Sequence, residues 1–324
     1  MTRFTRRSVV ICATALAATF TLSSPIAAQE KDFPSKPITV IVPFGAGGAS
    51  DTLARAVTSA AGSSLGQPMV VELMPGASGV IGTTNFVRNA KPDGYTLILV
   101  GTSASTTVPH AQKVAYDPIK DFAFLIGISL NTEVLAVRTD FPADNAEEFV
   151  KYAKENPGKT KLGHPGTGGE DWAVIQMMSR EFGSKIVDVP YDGAGPAATS
   201  AAGGHIDGVV GSLASVTPYV DAKKLKILAV FSNEASKNLP DVQSFTQIGY
   251  KNVVLNSRLG IAAPKGTPPE IVEKLHQGLK ATIENDSFKS LAQRLNFNVV
   301  YMGPDNYREA LSAEYARMGA AFKQ

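Results

Sequence analysis

ITVIVPFGAGGASDTLARAVTSAAGSSL, residues 38–65, reads as a strand, a glycine-rich turn and a helix. The apolar run 38–42 has the pattern of a strand buried on both faces of a parallel sheet. Pro43 ends its ladder, and Gly45, Gly47 and Gly48 bring bare N–H groups close to whatever lies in front of them. Ser50 and Asp51 then open a helix whose first amides have no partner within it. Such a loop is either a tight strand-to-helix connection or an anion site, and the residues alone leave both readings open.

The same alternation continues outward. Strand-like runs at 69–72, 96–100, 135–137, 161–163, 186–190, 208–210, 227–230 and 259–262 are interleaved with helical patterns at 79–89, 146–155, 171–182, 194–202 and 269–285. This is the signature of an α/β fold with parallel sheets. Several strands run into loops of small residues: 75–79 with Ser78, 101–105 with Thr102 and Ser103, 163–169 with Thr167 and Gly168, 191–195, and 211–215 with Ser212. Ligands of open parallel sheets bind beyond the carboxyl ends of the strands, so these loops are expected to converge on one cleft.

Before the first strand, Arg3, Arg6 and Arg7 precede an apolar stretch from Val9 to Leu22 and the small residues Ala27 and Ala28, the order of a secretory signal over 1–28. Thr5-Arg6-Arg7-Ser8 leaves a twin-arginine route open beside the ordinary one. The apolar stretch falls short of the ~20 residues that span a bilayer. Removing 1–28 changes 31 basic and 29 acidic residues to 28 and 29, with no basic run left for nucleic acid or anionic membrane. Cys12, the only cysteine, lies in the leader, so neither a disulfide nor a thiol nucleophile is expected afterwards.

Phe33 to Ile38 leading into Pro43 to Asp51 resembles the amino-terminal signature of the periplasmic receptors of tripartite tricarboxylate transporters, the Bug-type proteins. The likeness continues through Pro75-Gly76-Ala77-Ser78-Gly79, Pro92-Asp93-Gly94-Tyr95, Tyr116-Asp117-Pro118, Val189-Pro190-Tyr191, Leu239-Pro240-Asp241 and Ala263-Pro264-Lys265-Gly266. The resemblance implies an α/β chain of the type II periplasmic-binding-protein fold, two α/β lobes with a ligand cleft between them. Lobe one would hold 30–128 and 255–324, and lobe two 129–254, with crossings near 124–130 and 253–259. It further implies a monomeric periplasmic protein, without catalysis or cofactor, that closes on a small carboxylate and delivers it to a membrane permease. That carboxylate would be a di- or tricarboxylate, aromatic ones included. The expected binding residues are Phe44, Gly47, Gly48, Ser50, Asp51, Ser78, Thr102, Ser103, His164, Thr167, Gly168, Ser212 and Arg258.

Three positions depart from the family pattern. Leu73-Met74 stands where Asn-Arg is usual, Glu170-Asp171-Trp172 where small hydroxyls and a histidine are usual, and Arg258 where an aromatic is common. Glu170 and Asp171 suit a helix amino terminus electrostatically; whether they or Trp172 face the ligand is open. Arg258 reads as a two-pronged clamp for a second carboxylate, or as a surface ion pair. The competing function is an exported dinucleotide-dependent oxidoreductase, because Gly45-x-Gly47-x-x-Ser50 approaches a dinucleotide fingerprint and Glu72 stands where a ribose-binding acid belongs. His110, His164, His205 and His276 show no metal-ligand spacing.

Overall fold

The computed structural model describes residues 33–233, 236 and 238–322 of the chain. The leader expected over 1–28 lies outside them. In chain order the strands are β1 (Ile38–Val42), β2 (Met69–Leu73), β3 (Thr96–Gly101), β4 (Phe122–Leu130), β5 (Glu133–Arg138) and β6 (Lys161–His164). They continue with β7 (Val187–Pro190), β8 (Gly208–Ser212), β9 (Leu225–Val230), β10 (Arg258–Pro264) and β11 (Asn298–Met302). They form one sheet in the order β11-β4-β10-β3-β1-β2 and a second in the order β7-β6-β8-β5-β9.

The helices are α1 (Ala49–Leu65), α2 (Val80–Asn89), α3 (Val108–Ala111), α4 (Ala146–Glu155), α5 (Glu170–Phe182), α6 (Ala194–Ala202), α7 (Leu213–Asp221), α8 (Pro269–Glu284), α9 (Asp286–Arg294) and α10 (Pro304–Ala321). Local chemistry sets their ends. Gly66 closes α1 in the left-handed region at φ 77°. Asn145 caps α4 by accepting from the Glu148 N–H, while Glu148 reaches back to the Asp144 N–H. The inward face of α4 then buries Phe149 and Val150, each worth about 1.5–3 kcal/mol.

Both sheets are mixed, which corrects the expectation of parallel sheets. Strands β1, β2 and β3 run parallel, as do β6, β7 and β8, but β10 is antiparallel to β3 and β4, and β5 is antiparallel to β8 and β9. The cause is how the chain changes sheets. It leaves β4 and starts β5 after two residues, 131–132, without the crossover helix that a parallel return requires. It comes back from β9 into β10 through 231–257, where the described residues likewise form no helix. The segment 122–130, read from the sequence partly as a crossing, is a full strand of the first sheet. Asn131 and Ser257 mark the two passages and hold each other, the Asn131 N–H donating to the Ser257 carbonyl at 2.8 Å.

Helix α10 locks the first sheet from behind. Gly127 and Gly260 leave a slot for the Tyr307 ring, because a Cβ at either position would stand within 2.7 Å of it. Tyr307 is fully buried there and donates to the Val100 carbonyl at 2.8 Å, which keeps its hydroxyl satisfied. In the second sheet Ala197, Ala198 and Ala201 of α6 are wholly buried, so that helix lies close on its strands. Among the described residues, no helix is long and apolar enough to cross a membrane.

Candidate functional site

Five loops meet where the two sheets face each other. The Ser78 hydroxyl donates to the Thr167 carbonyl at 2.6 Å, the Glu170 N–H donates to Ser103 Oγ at 3.0 Å, and the Gly45 N–H donates to the Asp192 carbonyl at 2.8 Å. Each bond joins a loop of the first sheet to a loop of the second, so the cleft is closed. Inside it remains a cavity of about 50 Å³. At roughly 10–15 Å³ per water, that is room for a few waters or for the polar end of a small ligand.

From the first sheet the cavity is lined by Phe44, Gly48, Ala49 and Ser50 at the start of α1. Gly48 begins this helix in an extended conformation and no side chain caps it, so its first amides are free donors for an anion, assisted by the positive end of the helix. Ala194, at the start of the likewise uncapped α6, lies on the other side. Ser103 and Ser212 add hydroxyls to the lining; Ser212 also caps α7 by accepting from the Ser215 N–H.

The other expected residues are placed behind this lining. The Asp51 carboxylate accepts from the Gly47 N–H at 3.0 Å and pairs with Arg55 at 2.7 Å, so it shapes the loop. Thr102 Oγ1 accepts from the Arg258 N–H at 2.9 Å and donates to the Asn256 carbonyl, fixing the return passage. Ser78 and Thr167 form the closure contact and Gly168 follows it near Ala111, all three outside the cavity lining. His164 is fully buried: its Nδ1 accepts from the Gly166 N–H at 3.2 Å, leaving Nε2–H to face Asp188 at 3.4 Å. Burial lowers its pKa, outweighing the pull of Asp188, and the ring stays neutral.

Arg258 departs most from the sequence reading. Side chains alternate along β10, and Ser257 and Leu259 are the ones that line the cavity. The Arg258 guanidinium lies on the reverse side, in the electrostatic field of Glu170 and Tyr307. Glu72 likewise misses the cavity, being exposed on edge strand β2. The dinucleotide reading thereby loses its ribose acid.

Sequence reasoning missed Asn131, Glu133, Ser257 and Leu259. All precede or begin β5 and β10, the two reversed strands, whose amino ends point into the cleft. Glu133 is paired across the ladder with Ser212, the carboxyl end of β8. An acid at the head of the apolar run Val134–Val137 was the available signal.

Glu133, Glu170 and Asp171 all line the cavity, each less than a tenth exposed. Glu170 accepts from the Ser257 hydroxyl at 2.9 Å, and Glu133 shares a hydrogen bond with Asp171. Burial pushes the Glu133 carboxyl up to about 7, against lowering hydrogen bonds from Ser257, Asn131 and Asp171. Burial and then the charge of Glu133 hold Glu170 and Asp171 well above the usual carboxylate range. Trp172, by contrast, points out to the end of α10, its ring 6.2 Å from that of Phe322.

The model of the tripartite tricarboxylate transporter family receptor matches residues 53–324. A relative encoded in the gbd 5′ region of Cupriavidus necator is 32% identical over 297 residues, covering 92% of this chain and 90% of its own. Among solved structures, the periplasmic binding protein BugD is 30% identical with a TM-score of 0.85, covering 90% of this chain and 98% of its own. MatC from Rhodopseudomonas palustris, with bound malate, is 28% identical with a TM-score of 0.85 over 90% and 100%. A second R. palustris protein, with adipate, is 26% identical with a TM-score of 0.84 over 90% and 98%.

Proposed function

This chain belongs to the receptor family of tripartite tricarboxylate transporters, and from that premise we propose that it is a periplasmic solute-binding protein that captures a small carboxylate by lobe closure and hands it to a membrane permease. The observation that carries the reading is the cavity at the uncapped amino end of α1, closed over by loops of both sheets. A carboxylate there takes backbone amides that nothing else uses, as malate- and adipate-bound neighbours of the same fold suggest by analogy. The binding residues we assign are Phe44, Gly48, Ser50, Ser103 and Ser212. Gly47, Asp51, Ser78, Thr102, His164, Thr167 and Gly168 shape or latch the surrounding loops. The protein binds and releases its solute unchanged, as a monomer and without a cofactor.

The lobes we assign are 30–128 with 255–324, and 129–254. Sheet membership supports this division with one adjustment, because β4 keeps Ser129 and Leu130 in the first sheet. A thermal-shift screen of the mature chain against mono-, di- and tricarboxylates tests the function. A cognate acid at 100 times its Kd stabilises the protein by about 2.7 kcal/mol; no stabilisation by any carboxylate would reject the proposal.

A further inference from the structure

Three carboxyl groups crowd a cavity that no lysine or arginine lines. Glu133 arrives on β5, and Glu170 and Asp171 on the first turn of α5. Glu170 Oε2 and Asp171 Oδ1 are buried with no hydrogen-bond partner. A helix terminus offers amides to an anion, but it has no use for two unpartnered acceptor oxygens. A buried acceptor left unpaired bears the full cost of losing its water, which calls for a donor from the ligand. Among the described residues, no group of three or more His, Cys, Asp or Glu is disposed to hold a metal ion.

We propose that the cognate ligand carries a protonated amine beside its carboxylate, the amine seated on Glu133, Glu170 and Asp171 and the carboxylate on the free amides of α1. An ammonium has three donors and no acceptor, the complement of this wall. Its positive charge also compensates the ionised form of these acids, which burial and their mutual charge disfavour in the empty cavity. A plain diacid brings two more negative charges to the same space, and Arg258, the cation that interacts with Glu170, is outside the lining. The raised proton affinity of all three acids agrees with a wall built to face a positive charge.

This inference rests on the carboxylate reading and deepens it, and paired ligands separate the two. The mature chain is titrated calorimetrically at pH 7.5 with acids and their amino counterparts on the same skeleton: butyrate and 4-aminobutyrate, glutarate and glutamate, succinate and aspartate. Butane-1,4-diamine serves as an amine without a carboxylate. The expected result is binding at least tenfold tighter for the amino member of a pair. Glu170→Gln with Asp171→Asn should reduce that preference to below threefold. Plain acids that bind as tightly as their amino counterparts overturn the inference and leave the carboxylate reading standing. Binding of the diamine alone overturns both, and binding of nothing in the panel overturns the inference. The wild-type comparison decides the matter even where the double variant does not fold.

Discussion

The Ser78 hydroxyl donates to the Thr167 carbonyl at 2.6 Å, joining the loop after β2 to the loop after β6. A Cβ on Gly166 would lie 2.5 Å from the same hydroxyl, so the two loops touch through main chain at this point. Ser78 itself is held at φ 55°, a left-handed conformation that a serine adopts only when its surroundings enforce it. Under the proposed lobe closure the contact forms as the two loops meet, and it then contributes to ligand affinity through the closing equilibrium.

Ser78→Ala removes that bond and keeps the backbone. With a net hydrogen bond worth about 0.5–1.5 kcal/mol, affinity should fall roughly 2- to 10-fold. The melting temperature of the ligand-free protein should barely change. Calorimetric titration beside thermal denaturation checks this; unchanged affinity would mean that the latch does not bias closure.

Glu133 makes stability depend on pH in a defined direction. Its folded pKa is raised to about 7 from the ordinary 4.5, so the folded state keeps a proton that the unfolded chain has lost between these values. Stability is therefore full below about pH 4.5 and falls as pH rises through 7. Glu170 and Asp171 act in the same sense, Asp171 hydrogen-bonded to Glu133 and Glu170 close to both, with Asn131 and Ser257 beside them and Glu314, Arg258 and Tyr307 in the field of Glu170 or of one another. Glu133→Gln should stabilise the ligand-free protein at pH 8 by up to about 3 kcal/mol, since holding back one proton costs about 1.36 kcal/mol for each pH unit between the two values. Urea denaturation at pH 5, 6.5 and 8 reads it directly. A variant no more stable than wild type at pH 8 would show that water reaches Glu133.

Much of this arrangement is legible in sequence, and what is not has a specific cause. The turn at 43–51 gives itself away through its glycines and a helix start, and α4 and α6 match their expected limits because the cap of α4 and the apolar faces of both are local signals. The rule that ligands sit at carboxyl ends of strands finds Gly48, Ser50, Ser103 and Ser212, but it hides Glu133 and Ser257, which stand before strands of reversed direction. Strand direction depends on which sheet the chain has just left, a property of topology and not of any local pattern. Arg258 is hidden for a related reason: its facing is set by the alternation of β10, which Ser257 and Leu259 reveal only once the cavity is known.

Trp172 reports on the end of α10. It is the only tryptophan, and its ring stands 6.2 Å from Phe322, which also lies 6.2 Å from His110. Phe322→Ala uncovers the indole, so its emission should shift to longer wavelength and quench more readily with iodide. Carboxylate affinity should stay within about threefold, under roughly 0.7 kcal/mol, because Trp172 does not line the cavity. A larger loss of affinity would tie this contact to closure.

Gly195 separates folding from closing. A Cβ at this position would lie 2.6 Å from the Ala46 carbonyl oxygen and 2.8 Å from the Gly47 carbonyl carbon, both backbone atoms of the facing loop that cannot rotate away. The residue is the second of α6, where alanine favours the helix by up to about 1 kcal/mol over glycine. Gly195→Ala should therefore leave the ligand-free protein as stable as wild type or slightly more so. In the closed state the added methyl must push the 45–48 loop away, lengthening the 2.8 Å bond from the Gly45 N–H to the Asp192 carbonyl and displacing the amides of α1 that await the ligand. Affinity should drop tenfold or more, and the fall in radius of gyration that accompanies ligand saturation in small-angle scattering should shrink or vanish. If the variant binds within twofold of wild type and still contracts, the 45–48 and 192–195 loops need not touch for capture, and closure must be governed by the Ser78–Thr167 and Ser103–Glu170 contacts alone.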